Sequence, residues 1–335
     1  MIGDARSDAR VTITGLGAYA PERVITNDEL AQMVDTSDEW IIERTGIRER
    51  RIAAETQALS DLSMPAIRQA LEQAGSDGTD VDLLIVATVT PDMMFPSTSA
   101  ILADQLGAKD AAAYDLSAGC TGFMYALAQA YGMVASGLSK RALVVGGDVL
   151  SRILDWTDRS TVVLFGDGAG AVVLEPSEEA GFLAFELGAD GGGGANLWLP
   201  GSGSRKFAEP EKFVKMNGRE VFKFATRVMV SSAEAILAEC GRTVEDIDVY
   251  VPHQANVRII DHAAKKLGIP QEKTVVNVEK YGNTSSGSIP LALADAADDG
   301  RLEPGKLVLL TGMGAGLTWG SALIEWTHPT TGAAA

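Results

Sequence analysis

An α/β protein built from two duplicated halves is what this sequence predicts, on three observations. Short apolar, β-branched runs alternate with helical stretches along the chain, the signature of buried strands joined by helices. The same helix–strand units return at a constant offset, which a chance pairing of two α/β stretches would not give. The 335 residues exceed what one hydrophobic core usually organises.

The predicted strands are VTITGLGAY at 11–19, DLLIVATVT at 82–90, ALVVGGDV at 142–149, TVVLFGDGAGAVVL at 161–174, DVYVPHQ at 248–254 and KLVLLTGMGAG at 306–316. Amphipathic segments such as LSMPAIRQALEQAG lie between them and end on helix-stop glycines. A helix stopped by Gly75 leads to the strand at Asp82; another stopped by Gly241 leads to the strand at Asp248, and both pairs are 166 positions apart. At nearly that offset, CTGFMYALAQAYGMVASG and ALVVG correspond to SSGSIPLALADAADDG and LVLLTG. A boundary near 176 follows, with halves 1–176 and 177–335.

Composition narrows the function. The 28 Lys and Arg against 45 Asp and Glu leave a formal charge of −17, a field that repels nucleic acid and anionic lipid. With only Cys120 and Cys240 there is no disulfide framework, which suits a reducing compartment. The opening MIGDARSDAR has no apolar core, and no apolar run approaches the length of a membrane span. A soluble, cytoplasmic protein is expected, with no membrane partner.

The glycine-rich loops are not phosphate sites. Gly15-Leu-Gly17-Ala-Tyr-Ala20 follows a strand, but Pro21 comes next and no helix N-terminus is offered, so it is expected to be a tight strand exit. GDGAGAVVL at 166–174 and GMGAG at 312–316 are followed by no phosphate-binding lysine; their glycines are expected to let backbones approach closely.

Three residues carry the chemistry. Cys120, in YDLSAGCTGF, is expected to follow a buried strand and begin an amphipathic helix, where free N–H groups and the helix dipole are expected to lower its pKa and make it a nucleophile. Cys240, at a helix end, reads as structural. Of three histidines, His328 lies in a Pro/Thr/Gly tail and His262 inside a helix, leaving His253 at the carboxyl end of a strand, where α/β sheets build their sites. Asn283, in KYGNTSSGSIP, occupies the turn that the duplication pairs with the cysteine turn. A cysteine protease uses the same residue types in the same chain order, but the duplicated layout and small-residue nucleophile turn do not fit it. A non-catalytic binding module of the same layout remains open.

The blocks TNDELAQMVDTSDEWIIERTGIRERRIA, AGCTGF, TDRSTVVLFGDGAGA, NGREVFKFA, PHQANVRII, YGNTSSGSIP and GAGLTWGSA resemble the thiolase-like condensing enzymes, most closely the β-ketoacyl-[acyl carrier protein] synthase III family. The resemblance implies a five-layered αβαβα fold and an acyltransferase that initiates fatty-acid synthesis. It implies that Cys120 accepts an acyl group from a short acyl-CoA, a substrate and not a cofactor. His253 and Asn283 then assist decarboxylation of malonyl carried on acyl carrier protein. The oxyanion donors would be the N–H groups of Cys120 and of Ala315, which stands where many relatives have glycine. Trp40, Arg44, Arg159 and Asn256 match positions along the coenzyme A path. Phe95, from the other subunit of a homodimer, and Met313 match the acyl pocket, and Arg258, Lys265 and Lys266 match a docking patch for the carrier protein. A starter-unit synthase or acyltransferase of secondary metabolism with the same three residues is the alternative.

Overall fold

The computed structural model describes residues 10–327 apart from 180, 202 and 208–210. The N-terminal half runs β1 (Arg10–Tyr19), β2 (Arg23–Thr26), α1 (Asn27–Leu30), α2 (Asp38–Thr45), β3 (Glu49–Ile52), α3 (Leu59–Gln73), β4 (Leu83–Ala87), α4 (Thr98–Leu106), β5 (Ala112–Leu116), α5 (Gly122–Ala135), β6 (Ala142–Asp148), α6 (Arg159–Val162) and β7 (Gly168–Ser177). The C-terminal half continues with β8 (Phe182–Ala189), β9 (Leu197–Trp198), β10 (Lys215–Met216), α7 (Gly218–Glu239), β11 (Val249–Pro252), α8 (Val257–Leu267), α9 (Val278–Tyr281), α10 (Ser288–Asp298), β12 (Leu307–Gly314) and β13 (Thr318–Glu325).

Two mixed sheets repeat one topology. The first has the order β1-β7-β6-β4-β5 and the second β8-β13-β12-β11, read in the corresponding direction. In each, the strand carrying the 166-residue offset pairs in parallel with its neighbour, β4 with β6 and β11 with β12, and the next two pairings are antiparallel. The fifth strand of the second sheet is reduced to a single parallel bridge, Tyr250 to Thr274. Gly75 and Gly241 end their helices with φ of 67° and 62°, the left-handed conformation that glycine adopts without a Cβ clash.

Helices α3 and α4 cover the outer face of the first sheet, α5 and α10 fill the space between sheets, and α7 packs the outer face of the second with α8 against it. The result is the five-layered αβαβα arrangement. Its central layer is the largest apolar cluster, where Phe123, Leu127, Ile289 and Leu293 of the two inner helices meet Val144, Val172, Val308 and Ile324 of the two sheets. Uniformly buried strands such as β4 and β6 are covered by helices on both faces, which is why they read as continuous apolar runs.

Three details differ from the sequence reading. The strand placed at 161–174 starts only at Gly168: Asp158 caps the short α6 by accepting from the Ser160 N–H, and a turn intervenes. The Gly15-Leu-Gly17 motif lies inside β1, with a bulge between Ile13 and Gly15, and is not a strand exit. Its glycines are required because α3 crosses closely; a Cβ on Gly15 would stand 1.9 Å from the Ala70 carbonyl oxygen and one on Gly17 2.1 Å from that of Ala66. The strand before Cys120, β5, is an edge strand and only half-buried.

A Gly15→Ala variant should lose about 1–3 kcal/mol by overpacking, seen as a lower urea midpoint. Gly132→Ala, in α5 with open space at the Cβ position, should gain about 0.5–1 kcal/mol from helix propensity.

Candidate functional site

Cys120 stands two residues before α5 in the turn that follows β5. Gly119 holds φ 58°, and a Cβ there would meet the Ala315 nitrogen at 2.7 Å; a Cβ on Gly314 would meet the Cys120 nitrogen at 2.5 Å. The nucleophile turn and the 314–316 turn are therefore in backbone contact. Thr318 braces the pair, its hydroxyl lying 2.9 Å from the carbonyl oxygens of both Ala118 and Ala315, with one proton to share between them. The N–H groups of Cys120 and Ala315 both act on the sulfur, so the two donors expected at an oxyanion lie together.

His253 follows β11, its N–H donating to the Thr311 carbonyl at 2.8 Å. The ring is buried, and neither Nδ1 nor Nε2 has a protein partner. A buried polar group without a partner needs an explanation, and a cavity reserved for a ligand provides one. Asn283 is clamped from both sides of its backbone: its N–H donates to Leu164 at 2.8 Å and its carbonyl accepts from Gly166 at 3.0 Å. Its Oδ1 accepts from the Ser285 N–H at 2.9 Å, which leaves the Nδ2 hydrogens for other acceptors. Left-handed geometry in this turn falls on Gly282 and Ser285, not on Asn283.

Cys120, His253 and Asn283 line one cavity of about 140 Å³ together with Asn256, Met313, Phe222 and Phe165. A second cavity of about 230 Å³ meets the first at Cys120 and is walled by Val89, Leu150, Ile153, Leu154, Phe165 and Val214. The sulfur thus sits where the two meet, between a chamber holding the His253, Asn256 and Asn283 side chains and one walled mainly by aliphatic residues.

Burial dominates the electrostatics. The Cys120 thiol is pushed up to about 11 by desolvation, against the lowering influence of the Ser285 hydroxyl and of the Cys120 and Ala315 N–H groups. The expected low-pKa thiolate is corrected accordingly: the helix terminus and its N–H groups are present, but removal of water outweighs them. His253 is pushed down to about 4 by burial and is neutral at pH 7. The resting pair is thiol and imidazole.

The outer residues are placed less uniformly. Trp40 is sandwiched, with Arg44 and Arg159 guanidinium carbons 4.9 and 5.0 Å from its ring centroid. Asn256 caps α8, donates to the Arg44 carbonyl at 3.0 Å and lines the Cys120 cavity, so it ties α2 to the site. Met313 lines the same cavity. Phe95 does not reach either cavity within one chain and is 84% exposed. Arg258, Lys265 and Lys266 are exposed on α8, and Arg258 lies over the Phe222 ring at the cavity wall. His262 is exposed and Cys240 is a free, half-buried thiol remote from these cavities; His328 lies outside the described residues. Sequence reasoning missed Phe165, which lines both cavities and bridges to Asn283, and the buried Asp148 behind the site. An aspartate closing an otherwise apolar strand was the available signal for Asp148; Phe165 had none. Among the described residues no group of three or more His, Cys, Asp or Glu could hold a metal ion, and no helix is long and apolar enough to cross a membrane.

Two like-built sheets with a cysteine turn facing a histidine and an asparagine define a thiolase-like condensing enzyme. Family models described as 3-oxoacyl-[acyl-carrier-protein] synthase III match residues 114–191 and, for the C-terminal part, 237–326. Beta-ketoacyl-[acyl-carrier-protein] synthase III of Symbiobacterium thermophilum is 54% identical over 323 residues, 94% of this chain and 98% of that protein; the Desulfitobacterium hafniense enzyme of the same name is 51% identical over 324 residues, 95% and 98%. The solved Thermus thermophilus synthase III superposes with TM-score 0.90 at 50% identity, covering 94% of this chain and 99% of that one. The chain belongs to the β-ketoacyl-[acyl carrier protein] synthase III family of acyltransferases.

Burial of His253 makes a linkage prediction. Below pH 6.5 the unfolded chain protonates this ring and the folded one does not until about pH 4, so stability falls as pH is lowered through that window, by about 3 kcal/mol in all. Denaturation of a His253→Gln variant should show a correspondingly weaker loss between pH 6.5 and 4 than the parent.

Proposed function

We propose that this enzyme condenses a short acyl-CoA with malonyl-[acyl carrier protein], giving a 3-oxoacyl carrier protein, coenzyme A and CO2, and so initiates fatty-acid synthesis. The observation that carries the reading is the shared cavity of Cys120, His253 and Asn283, with both imidazole nitrogens and the Asn283 amide hydrogens uncommitted.

In the first half-reaction the Cys120 sulfur attacks the acyl-CoA thioester; its proton leaves with the coenzyme A thiolate, and one thioester replaces another. The Cys120 and Ala315 N–H groups stabilise the tetrahedral oxyanion, each donor contributing about 3 kcal/mol. The acyl chain occupies the apolar cavity, and Trp40, Arg44, Arg159 and Asn256 hold the nucleotide and pantetheine. In the second, malonyl thioester enters the chamber that holds His253 and Asn283. His253 and Asn283 donate hydrogen bonds to its carbonyl as CO2 departs, and the enolate carbon attacks acyl-Cys120. A neutral imidazole suits this role, because it keeps one N–H to donate. The thiolate released takes up a proton and restores the resting thiol.

Arg258, Lys265 and Lys266 form a cationic patch beside the chamber on a strongly acidic chain, suited to an acidic carrier protein. Among the described residues β5 has no neighbour on its outer edge, and Met94 and Phe95 are largely exposed. We infer a homodimer in which this edge is covered and Phe95 completes the partner's apolar cavity, working in the cytoplasm with both cysteines reduced. The division into halves 1–176 and 177–335 is kept as part of this reading. A second reading, starter-unit synthesis for secondary metabolism, is favoured by one likeness: the priming β-ketosynthase of the R1128 polyketide pathway, TM-score 0.90 and 38% identical over 96% of this chain and 97% of that one.

Intact-mass spectrometry after exposure to a mixture of acyl-CoAs should show one acyl adduct, absent in Cys120→Ala; an adduct that persists in that variant refutes the assignment. His253→Ala or Asn283→Ala should still acylate but slow condensation by about 100-fold or more. Arg258→Glu with Lys265→Glu should raise KM for malonyl carrier protein and leave acylation unchanged. No product from malonyl carrier protein, with turnover on another acceptor, would favour the second reading.

A further inference from the structure

Behind the cavity lies a polar assembly that the reaction as described does not use. Asp148, the last residue of β6, is fully buried, and no cation pairs with it among the described residues. Its Oδ1 accepts from the Thr88 hydroxyl at 2.8 Å, the Val89 N–H at 2.8 Å and the Thr90 N–H and hydroxyl at 3.2 and 2.9 Å. Its Oδ2 accepts from the Ser286 N–H at 3.2 Å. One carboxyl thus holds the end of its own strand, the segment after β4 that supplies Val89 to the apolar cavity, and the turn that carries Asn283. From that turn the Ser286 hydroxyl donates onward to the Gly119 carbonyl, one residue before the nucleophile, at 3.2 Å.

Ser285 is the second unusual group. It is the one non-glycine residue with positive φ among those described, at 52°, a conformation that costs energy and persists only where the surroundings impose it. Its hydroxyl is buried, lines the apolar cavity beside Cys120 and completes no hydrogen bond of good geometry. It nevertheless lies near enough to the sulfur and to the Asp148 carboxyl to favour the ionised form of each, against the burial that opposes both ionisations. A buried carboxyl without a cation and a strained, unsatisfied hydroxyl are both costly arrangements, and here they adjoin one sulfur atom.

We propose that Asp148 and Ser285 are a buried positioning pair for this site, Asp148 anchoring the Asn283 turn, from which Ser286 reaches the nucleophile turn, to the ends of β4 and β6, and Ser285 presenting its hydroxyl to the Cys120 sulfur as the thiol is activated. When Cys120 gives up its proton, the Ser285 O–H turns to the sulfur as a donor, and the Asp148 hydrogen bonds keep the turn from moving with it. Other titratable groups do not compete: His253, in the adjoining chamber, is neutral, while burial and the Asp148 charge both hold the thiol protonated until substrate arrives.

The pair acts on the sulfur in opposite senses, and that separates positioning from mere support. Alkylation of Cys120 by iodoacetamide, followed by intact mass across pH, reads the thiol without requiring the condensing reaction on which the proposal rests. Ser285→Ala should move the alkylation profile to higher pH, since the thiolate loses a donor. Asp148→Asn should move it to lower pH, since a negative charge is removed, and should slow condensation about 100-fold through displacement of Asn283, with a smaller effect on acylation by acetyl-CoA. Profiles that coincide with the parent's, or that move in the same direction, overturn the proposal. Should Asp148→Asn fail to fold, Ser285→Ala decides alone, and an unchanged profile refutes it. Failure of the parent to be acylated by any acyl-CoA would defeat the condensing reading instead, with the alkylation profiles still interpretable.

Discussion

The site depends on backbone meeting backbone where the two halves abut. The segment 281–287, from the second half, is pressed against the end of β6 and the approach to β7 so closely that a Cβ on Gly146 would stand 2.4 Å from the Ser286 carbonyl oxygen and one on Gly166 2.2 Å from that of Tyr281. The same closeness recurs between Gly119 and Ala315 and between Gly314 and Cys120. Side chains are flexible and can drift; main chains in van der Waals contact cannot. Because the turns that carry Cys120, Asn283 and Ala315 touch through their backbones, the reacting groups inherit the rigidity of two packed sheets.

Dehydration is the price of that closeness, and it sets the protonation states. A helix start and two aimed N–H groups would lower a thiol's pKa in a wetter place, yet here the sulfur keeps its proton and the imidazole declines one. A resting enzyme with an uncharged thiol and an uncharged ring holds little thiolate at neutral pH. Its polar groups are instead arranged for charges that appear only when a thioester is bound, which is where fixed donors in a dry cavity act most strongly. Asp148 belongs to the same logic, satisfied by neutral donors from two segments and holding the layout that substrate charge will exploit.

Periodicity and repetition made the fold legible. Buried strands β4, β6, β11 and β12 each announced themselves as apolar β-branched runs, and the glycines ending α3 and α7 fixed the 166-residue correspondence because only a left-handed residue closes a helix in that way. Cys120, His253 and Asn283 were legible as well, since a strand exit is where such a fold can present a side chain and each is the chemically distinctive residue at its exit. β8 and β13 were harder to see, being half-polar or embedded in glycine-rich text. Ser285, Ser286 and Phe165 had no sequence signal, because their importance lies in where neighbouring chain segments happen to approach.

By itself the sequence determined the duplicated α/β layout, the three candidate residues Cys120, His253 and Asn283 and the acidic composition with its local basic cluster, all of which are properties of spacing and composition. Only the tertiary structure decided that the thiol rests protonated, that glycines 15 and 17 serve helix packing inside a strand, and that Asp148 sits behind the nucleophile. Those outcomes turn on burial and on contacts between residues distant in sequence, from Gly15 against Ala70 to the 3.2 Å bond from Ser286 to Asp148. Distance along the chain carries no record of them; solvent exclusion and backbone proximity create them when the sheets pack.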